Sequence, residues 1–189
     1  MKQLSLALVI ASTVVLQGCI AATAVTVAAG ASVAADERSV GNLIDDQSIE
    51  IKAHNDLAKH ESIDNNTNLQ VISFNGSVLV VGQAPNTYLR DLAIKTLNEV
   101  DGIKQIHNQI RIGNKTSIAT RTNDVWLTSK VKAALFADET LAGNKVKVVT
   151  ENGEVFLMGI LNATESDIAV NIARNISGVN RVYKIFEIL

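Results

Sequence analysis

The sequence has one proline, one cysteine and one tryptophan, and aromatic residues make up 4% of its 189 positions. A lone cysteine excludes an internal disulfide, so the fold has to be held by packing. Charge of either sign is modest: 17 basic and 19 acidic side chains give a net of −2. The basic footprint on which nucleic-acid binding rests is therefore missing. Metal chemistry lacks its ligands, because His54, His60 and His107 have no carboxylate or thiol at ligand spacing and read as surface residues. The glycines are turn and cap glycines, with no phosphate-cradling loop and no nucleophile elbow. Asp45-Asp46 is a carboxylate pair, but it falls where a helix begins, and N-capping and the helix dipole account for it. No cofactor and no active site are expected, and the chain reads as non-enzymatic.

What is present begins at the N-terminus, "MKQLSLALVIASTVVLQGC". One lysine precedes an uncharged apolar stretch from Leu4 to Leu16, shorter than the roughly 20 residues that span a bilayer as a helix. This is the pattern of a secretory signal peptide over residues 1–18. Its ending, Leu16-Gln17-Gly18-Cys19, resembles the bacterial lipobox, in which cleavage leaves the cysteine as a lipidated first residue. A plain signal peptide with a stray thiol is the alternative. Ile20 stands where an aspartate would argue for inner-membrane retention. The resemblance thus implies an acyl anchor in the inner leaflet of the outer membrane, with the body of the protein in the periplasm. Removing residues 1–18 takes away only Lys2, leaving 16 basic against 19 acidic side chains, a net of −3. Residues 19–44 carry no charge until Asp36 and no periodic apolar face, and read as a tether with a span of about 28 Å as a flexible coil. An Ala-rich helix is the other reading of that stretch, opposed by its β-branched residues and Gly30.

The remainder repeats itself. "SFNGSVLVVGQA" from Ser73 recurs as "TENGEVFLMGIL" from Thr150, and "VDGIKQIHNQIRI" recurs as "ISGVNRVYKIFEI". Two domains follow, 45–113 and 124–189, joined by a polar linker, 114–123. Each parses as helix, strand, strand, helix, strand. Asn75-Gly76 and Asn152-Gly153 supply the positive-φ pair of a tight hairpin. The helices after the hairpins carry apolar stripes, Leu89, Leu92, Ala93, Thr96, Leu97 and Val100 in one copy and Ile168, Ala169, Ile172, Ala173 and Ile176 in the other. Gly102 and Gly178 are expected to stop those helices. The fold class is α+β, two helices on one face of a three-stranded mixed sheet, twice over. The hairpin strands "VLVV" and "VFLM" are apolar on both alternate faces, so the outer face of each sheet should be covered as well, by the other copy or by a partner.

This arrangement resembles the BON domain. The residues that carry the likeness are Val71, Asn75-Gly76, Val78, Gly82 and Gly102 in the first copy, and Val148, Asn152-Gly153, Val155, Gly159, Gly178-Val179 and Val182 in the second. With the lipobox, "RSVG" at 38–41, "IDD" at 44–46 and "TENGEVFLMG" at 150–159, the whole chain is similar to the dual-BON outer-membrane lipoproteins of gammaproteobacteria. The resemblance implies support of outer-membrane integrity, a link to the division site, and binding of anionic phospholipid through the second BON domain.

The residues also point to the second domain. When its first helix is laid over that of the first domain, the core positions agree: Leu127 over Ile49, Val131 over Ala53, Leu135 over Leu57. The flank does not. Trp126 lies over Ser48, Ala133 over Asn55, Phe136 over Ala58 and Ala137 over Lys59. Glu50 and Asp56 stand in the first helix, whereas Val125 to Ala137 contains Lys130 and Lys132 and no acid. An indole beside lysines suits the bilayer interface. Trp126, Lys130, Ala133, Phe136 and Ala137 are therefore the candidate lipid-binding residues. Two other readings stay open: Trp126 as a plug between the domains, and the same flank as a dock for envelope-assembly, division or cell-wall-remodelling proteins.

Overall fold

The computed structural model describes residues 40–189. The signal peptide, Cys19 and the tether up to residue 39 lie outside the described residues. The first domain runs α1 (Val40–Ala58), α2 (Glu61–Asn66), β1 (Asn68–Phe74), β2 (Ser77–Ala84), α3 (Thr87–Leu97), β3 (Gln105–Ile112). The second runs α4 (Ile118–Ala137), a 3-10 turn (Gly143–Lys145), β4 (Lys147–Glu151), β5 (Glu154–Leu161), α5 (Ala163–Arg174), β6 (Arg181–Ile188). The sheet orders are β1-β2-β3 and β4-β5-β6, with an antiparallel hairpin on one side of each central strand and a parallel strand on the other. Both domains are α+β, with helices laid on a mixed three-stranded sheet.

Helices reach into both segments read as connections. α1 begins at Val40, so residues 40–44 are helical rather than tether. Tertiary bonds secure that turn, since Asn42 Nδ2 donates to Asn75 Oδ1 at 3.2 Å. α4 begins at Ile118, inside the proposed linker, because the Ser117 hydroxyl accepts from the Thr120 N–H and caps it. The short α2 was not legible, since a single buried residue, Ile63, sets no period.

The Asn-Gly hairpins form as read, with φ of 54° and 78° at Asn75 and Gly76 and 52° and 74° at Asn152 and Gly153. What holds them was misplaced in the sequence reading. Asp46 does not cap a helix start: it lies inside α1, buried, and accepts from Ser73 Oγ (2.7 Å), Asn75 N (2.7 Å) and Gly76 N (2.9 Å). Asp124 of α4, also buried, accepts from Asn152 N and Gly153 N, both at 2.8 Å. Each opening helix thus pins its own hairpin with a carboxylate, satisfying donors that the tight turn leaves unpaired. Gly102 and Gly178 need correction too. α3 ends at Leu97 and α5 at Arg174, several residues earlier, each with an asparagine cap. The two glycines sit at φ 95° and 100° in the following turn, where a Cβ would press on Ile49 (3.2 Å) and Leu127 (2.9 Å).

Strand alternation sorts the core. Val78 and Val80 of β2 face α1 and α3, and Val155 and Leu157 of β5 face α4 and α5. The intervening residues, Leu79 and Val81 with Phe156 and Met158, meet one another and Ile72, Phe74 and Val149 in a third cluster. The two sheets therefore cover each other's outer faces. Phe156 stacks on Tyr183 within this seam, ring centroids 4.8 Å apart. Polar contacts fringe it: Lys147 Nζ reaches Glu50 (3.0 Å) and the Ser73 carbonyl (3.1 Å), Arg111 pairs with Glu154 (2.8 Å), Asn75 donates to Glu187 (2.8 Å), and Gln83 donates to Glu151.

Candidate functional site

α4 is a 20-residue helix. Leu127, Val131 and Leu135 are buried against the sheet, together with Asp124. On a wheel of 100° per residue, Ile118, Val125 and Phe136 fall about 160–180° from Leu127, Ala133 and Trp126 at about 240–260°, and Ala137 at about 280°. All six are exposed: Ile118 76%, Val125 68%, Trp126 56%, Phe136 63%, and Ala133 and Ala137 likewise. The side of α4 that faces away from its own core is thus largely apolar, broken by the exposed hydroxyls of Ser129 and Thr122 at about 200° and 220°. Its one acid is Asp124, turned inward, so the exposed face carries no negative charge.

Trp126 is not an interdomain plug. The seam is filled by Phe74, Phe156, Tyr183 and aliphatic residues, while the indole stands on the outer side of α4. Lys130, one turn on, lies with Nζ 3.9 Å from the indole ring centroid. The same Nζ is 3.5 Å from the Ser177 carbonyl. This cation–π contact contributes about 0.5–1 kcal/mol at an exposed site and holds one face of the indole, leaving the rest of the ring to solvent. Of the five residues picked from sequence, four are exposed on this face and Lys130 is half-buried beside it. Two further members, Ile118 and Val125, were missed. Ile118 was hidden by the reading of 114–123 as linker, and Val125 was legible by its wheel position alone. Asp138 and Glu139 follow directly, where Asp138 accepts from Thr140 and Leu141 and ends the helix, and these bonds lower its pKa.

The histidines do not gather. His54 is exposed, and His60 stands at the N-terminal end of α2, where its carbonyl and not its ring accepts from Ile63 N and Asp64 N. His107 departs from its reading as a surface residue: it is half-buried, its Nε2 lies 3.1 Å from Ser77 Oγ, and burial pushes its pKa down. Among the described residues no group of three or more His, Cys, Asp or Glu is placed to hold a metal ion, and no helix is long and apolar enough to cross a membrane.

Residues 45–114 and 123–189 each match the BON domain family. The chain is 39% identical to the outer membrane lipoprotein DolP of Haemophilus influenzae, over 97% of this chain and 95% of that one. It is 37% identical to the 21 kDa hemolysin of Actinobacillus pleuropneumoniae, over 80% of this chain and 78% of that one. To the osmotically-inducible protein Y of Escherichia coli K12 it is 29% identical, over 82% of this chain and 78% of that one. Two BON matches and near end-to-end similarity to such a lipoprotein settle the family: the chain belongs to the dual-BON outer-membrane lipoproteins, lipid-anchored proteins of the outer membrane.

Proposed function

We propose that this protein is a non-enzymatic lipoprotein whose second BON domain docks on anionic phospholipid through the outer face of α4, and that this contact supports outer-membrane integrity, with the division site as its place of action. One observation carries the reading: Trp126 stands 56% exposed on an acid-free apolar helix face with Lys130 against its ring. An amphipathic ring beside an ammonium group is the pairing that headgroup and acyl boundary favour together. The magnitudes describe a peripheral contact. Inserting the exposed parts of Trp126 and Phe136 removes on the order of 200–250 Å² from water, about 5–6 kcal/mol at 25 cal/mol per Å², before ordering costs. Each lysine near an anionic surface adds about 1 kcal/mol. With acyl chains on Cys19 supplying anchorage, α4 decides how the domain lies and which lipids it meets, at the local concentration a tether imposes.

Vesicle flotation of the mature chain carrying Cys19→Ser tests this. Binding to phosphatidylglycerol-containing vesicles, weakening with salt and with Trp126→Ala, is the expected result. Binding unaffected by Trp126→Ala and Phe136→Ala together would remove α4 from the reading. Midcell enrichment of a fluorescent fusion, lost with the same substitutions, tests the division-site part separately.

A further inference from the structure

β1 and β4 are the hairpin edge strands of their sheets, and both line one groove at the seam. Lys147 meets Ser73 at one end; at the other, Glu151 meets Gln83, the register partner of Asn68. Between them lies a groove of about 510 Å³, one side of it formed by α4.

The register identifies which backbone groups face this groove. The Asn75-Gly76 turn closes on the Phe74–Ser77 pair, so Phe74, Ile72 and Gln70 bond to β2 while Ser73, Val71 and Leu69 turn their N–H and C=O away from it. Ser73 displays the parity: its N–H donates to Glu50 Oε1 at 2.8 Å and its carbonyl accepts from Lys147 at 3.1 Å. For the outward groups of Val71 and Leu69 there is no hydrogen-bond partner among the described residues. These positions are also accessible, with Leu69 and Val71 half-exposed and Gln70 exposed, whereas Val148, Val149 and Thr150 of β4 are buried.

The charges on the groove are sorted. Glu50 holds Lys147 and Ser73, Asp124 holds its hairpin, and Glu151 accepts from Gln83. Arg121 and Lys132 make no salt bridge among the described residues, though the charge of Arg121 acts on Glu151 across the groove, and they lie on one stripe of α4 with Val125 and Thr128 between them. Their separation along the helix is about 16 Å at 1.5 Å per residue. Five residues of β1, Asn68 to Ile72, line the groove, a length of about 17 Å.

We propose that this groove takes an extended, acidic polypeptide segment of a partner protein, which adds to the free edge of β1 at Leu69 and Val71 and presents carboxylates to Arg121 and Lys132. The open backbone groups alternate as donor and acceptor at the strand repeat. Another strand satisfies both kinds, while a phosphate offers acceptors only. Edge addition supplies affinity through the main chain, and the two cations select for charge.

The test is amide hydrogen exchange on the 15N-labelled mature chain carrying Cys19→Ser, with two blocked hexapeptides, acetyl-EVTVEV-amide, whose carboxylates stand about 14 Å apart on one face of a strand, and its lysine counterpart acetyl-KVTVKV-amide. The acidic peptide is expected to slow exchange at Leu69 and Val71 at least tenfold, and the basic one to bind at least tenfold more weakly. Arg121→Glu with Lys132→Glu should remove that preference. Val71→Pro deletes one of the two unpartnered outward N–H groups without touching a β2 bond and should weaken peptide binding at least tenfold while leaving vesicle flotation unchanged, which separates this site from the lipid contact. The proposal is overturned if millimolar acidic peptide leaves both amides unprotected, if the two peptides bind alike, or if glycerol phosphate protects the same amides. The exchange measurement on the unaltered protein decides the matter even if Val71→Pro fails to fold.

Discussion

Helices α1 and α4 bury equivalent residues, Ile49, Ala53 and Leu57 in one and Leu127, Val131 and Leu135 in the other, and each sends an aspartate to its own Asn-Gly turn. Their outer faces have parted. α1 is not wholly polar outside, for Ile44 and Ile51 are 63% and 56% exposed, at positions where α4 has Thr122 and Ser129. Around those isoleucines, however, stand Asp45, Gln47, Lys52 and Asp56, a mixed-charge surface. α4 groups Val125, Trp126, Ala133 and Phe136 with no exposed acid. Duplication has kept the positions that pack and let most outward positions diverge, Lys52 and Lys130 being an outward pair that stayed the same, because core volume and the buried carboxylate hold only the former.

Breaking what the helices share should have the largest effect. Asp124→Ala leaves Asn152 N and Gly153 N without an acceptor and is expected to cost about 2–4 kcal/mol, with Asp46→Ala comparable, measured by urea denaturation. Breaking what distinguishes them comes next. Trp126→Ser, which installs the α1 residue, should lower partitioning to anionic vesicles at least tenfold while costing no more stability than the about 0.5–1 kcal/mol of the Lys130 contact, since the ring packs outside the core. Ile44→Thr with Ile51→Ser, which installs the α4 residues in α1, should leave partitioning within twofold; an equal loss from both helices would erase the comparison. Lys130→Gln sharpens it further, with an expected weakening of about fivefold at low salt that fades as salt is raised.

The smallest effect belongs to Glu151, at the edge of the seam. Burial raises its pKa above the usual 4.5, and the hydrogen bond from Gln83 opposes this. The folded state therefore favours the protonated form. The resulting stabilisation is complete below the unfolded-state value and is lost as pH rises through the elevated folded one. Glu151→Gln removes the titration and retains a carbonyl for Gln83. Thermal melts should match the parent near pH 4 and exceed it at pH 7 by less than about 1 kcal/mol.

Much of this was visible in the residue order. The two-residue hairpins needed only Asn-Gly between apolar runs, and the buried stripes of α1 and α4 only a 3.6-residue period, because both are properties of a few consecutive residues. The choice of Trp126, Ala133, Phe136 and Ala137 came from setting one copy against the other, and all four are exposed. The aspartates escaped notice because their partners lie nearly thirty residues away, and Asp45-Asp46 looked locally like a helix cap.

The sequence by itself determined the repeat, the α+β class, the turns and the positions that must be buried, since chain stereochemistry and apolar periodicity act over single turns and strands. Only the tertiary structure decided that the two sheets close on each other, that the indole is left outside their seam, and that a free strand edge borders α4. Each of those outcomes depends on which distant surfaces meet, and packing of whole faces, rather than any local preference, selects among them.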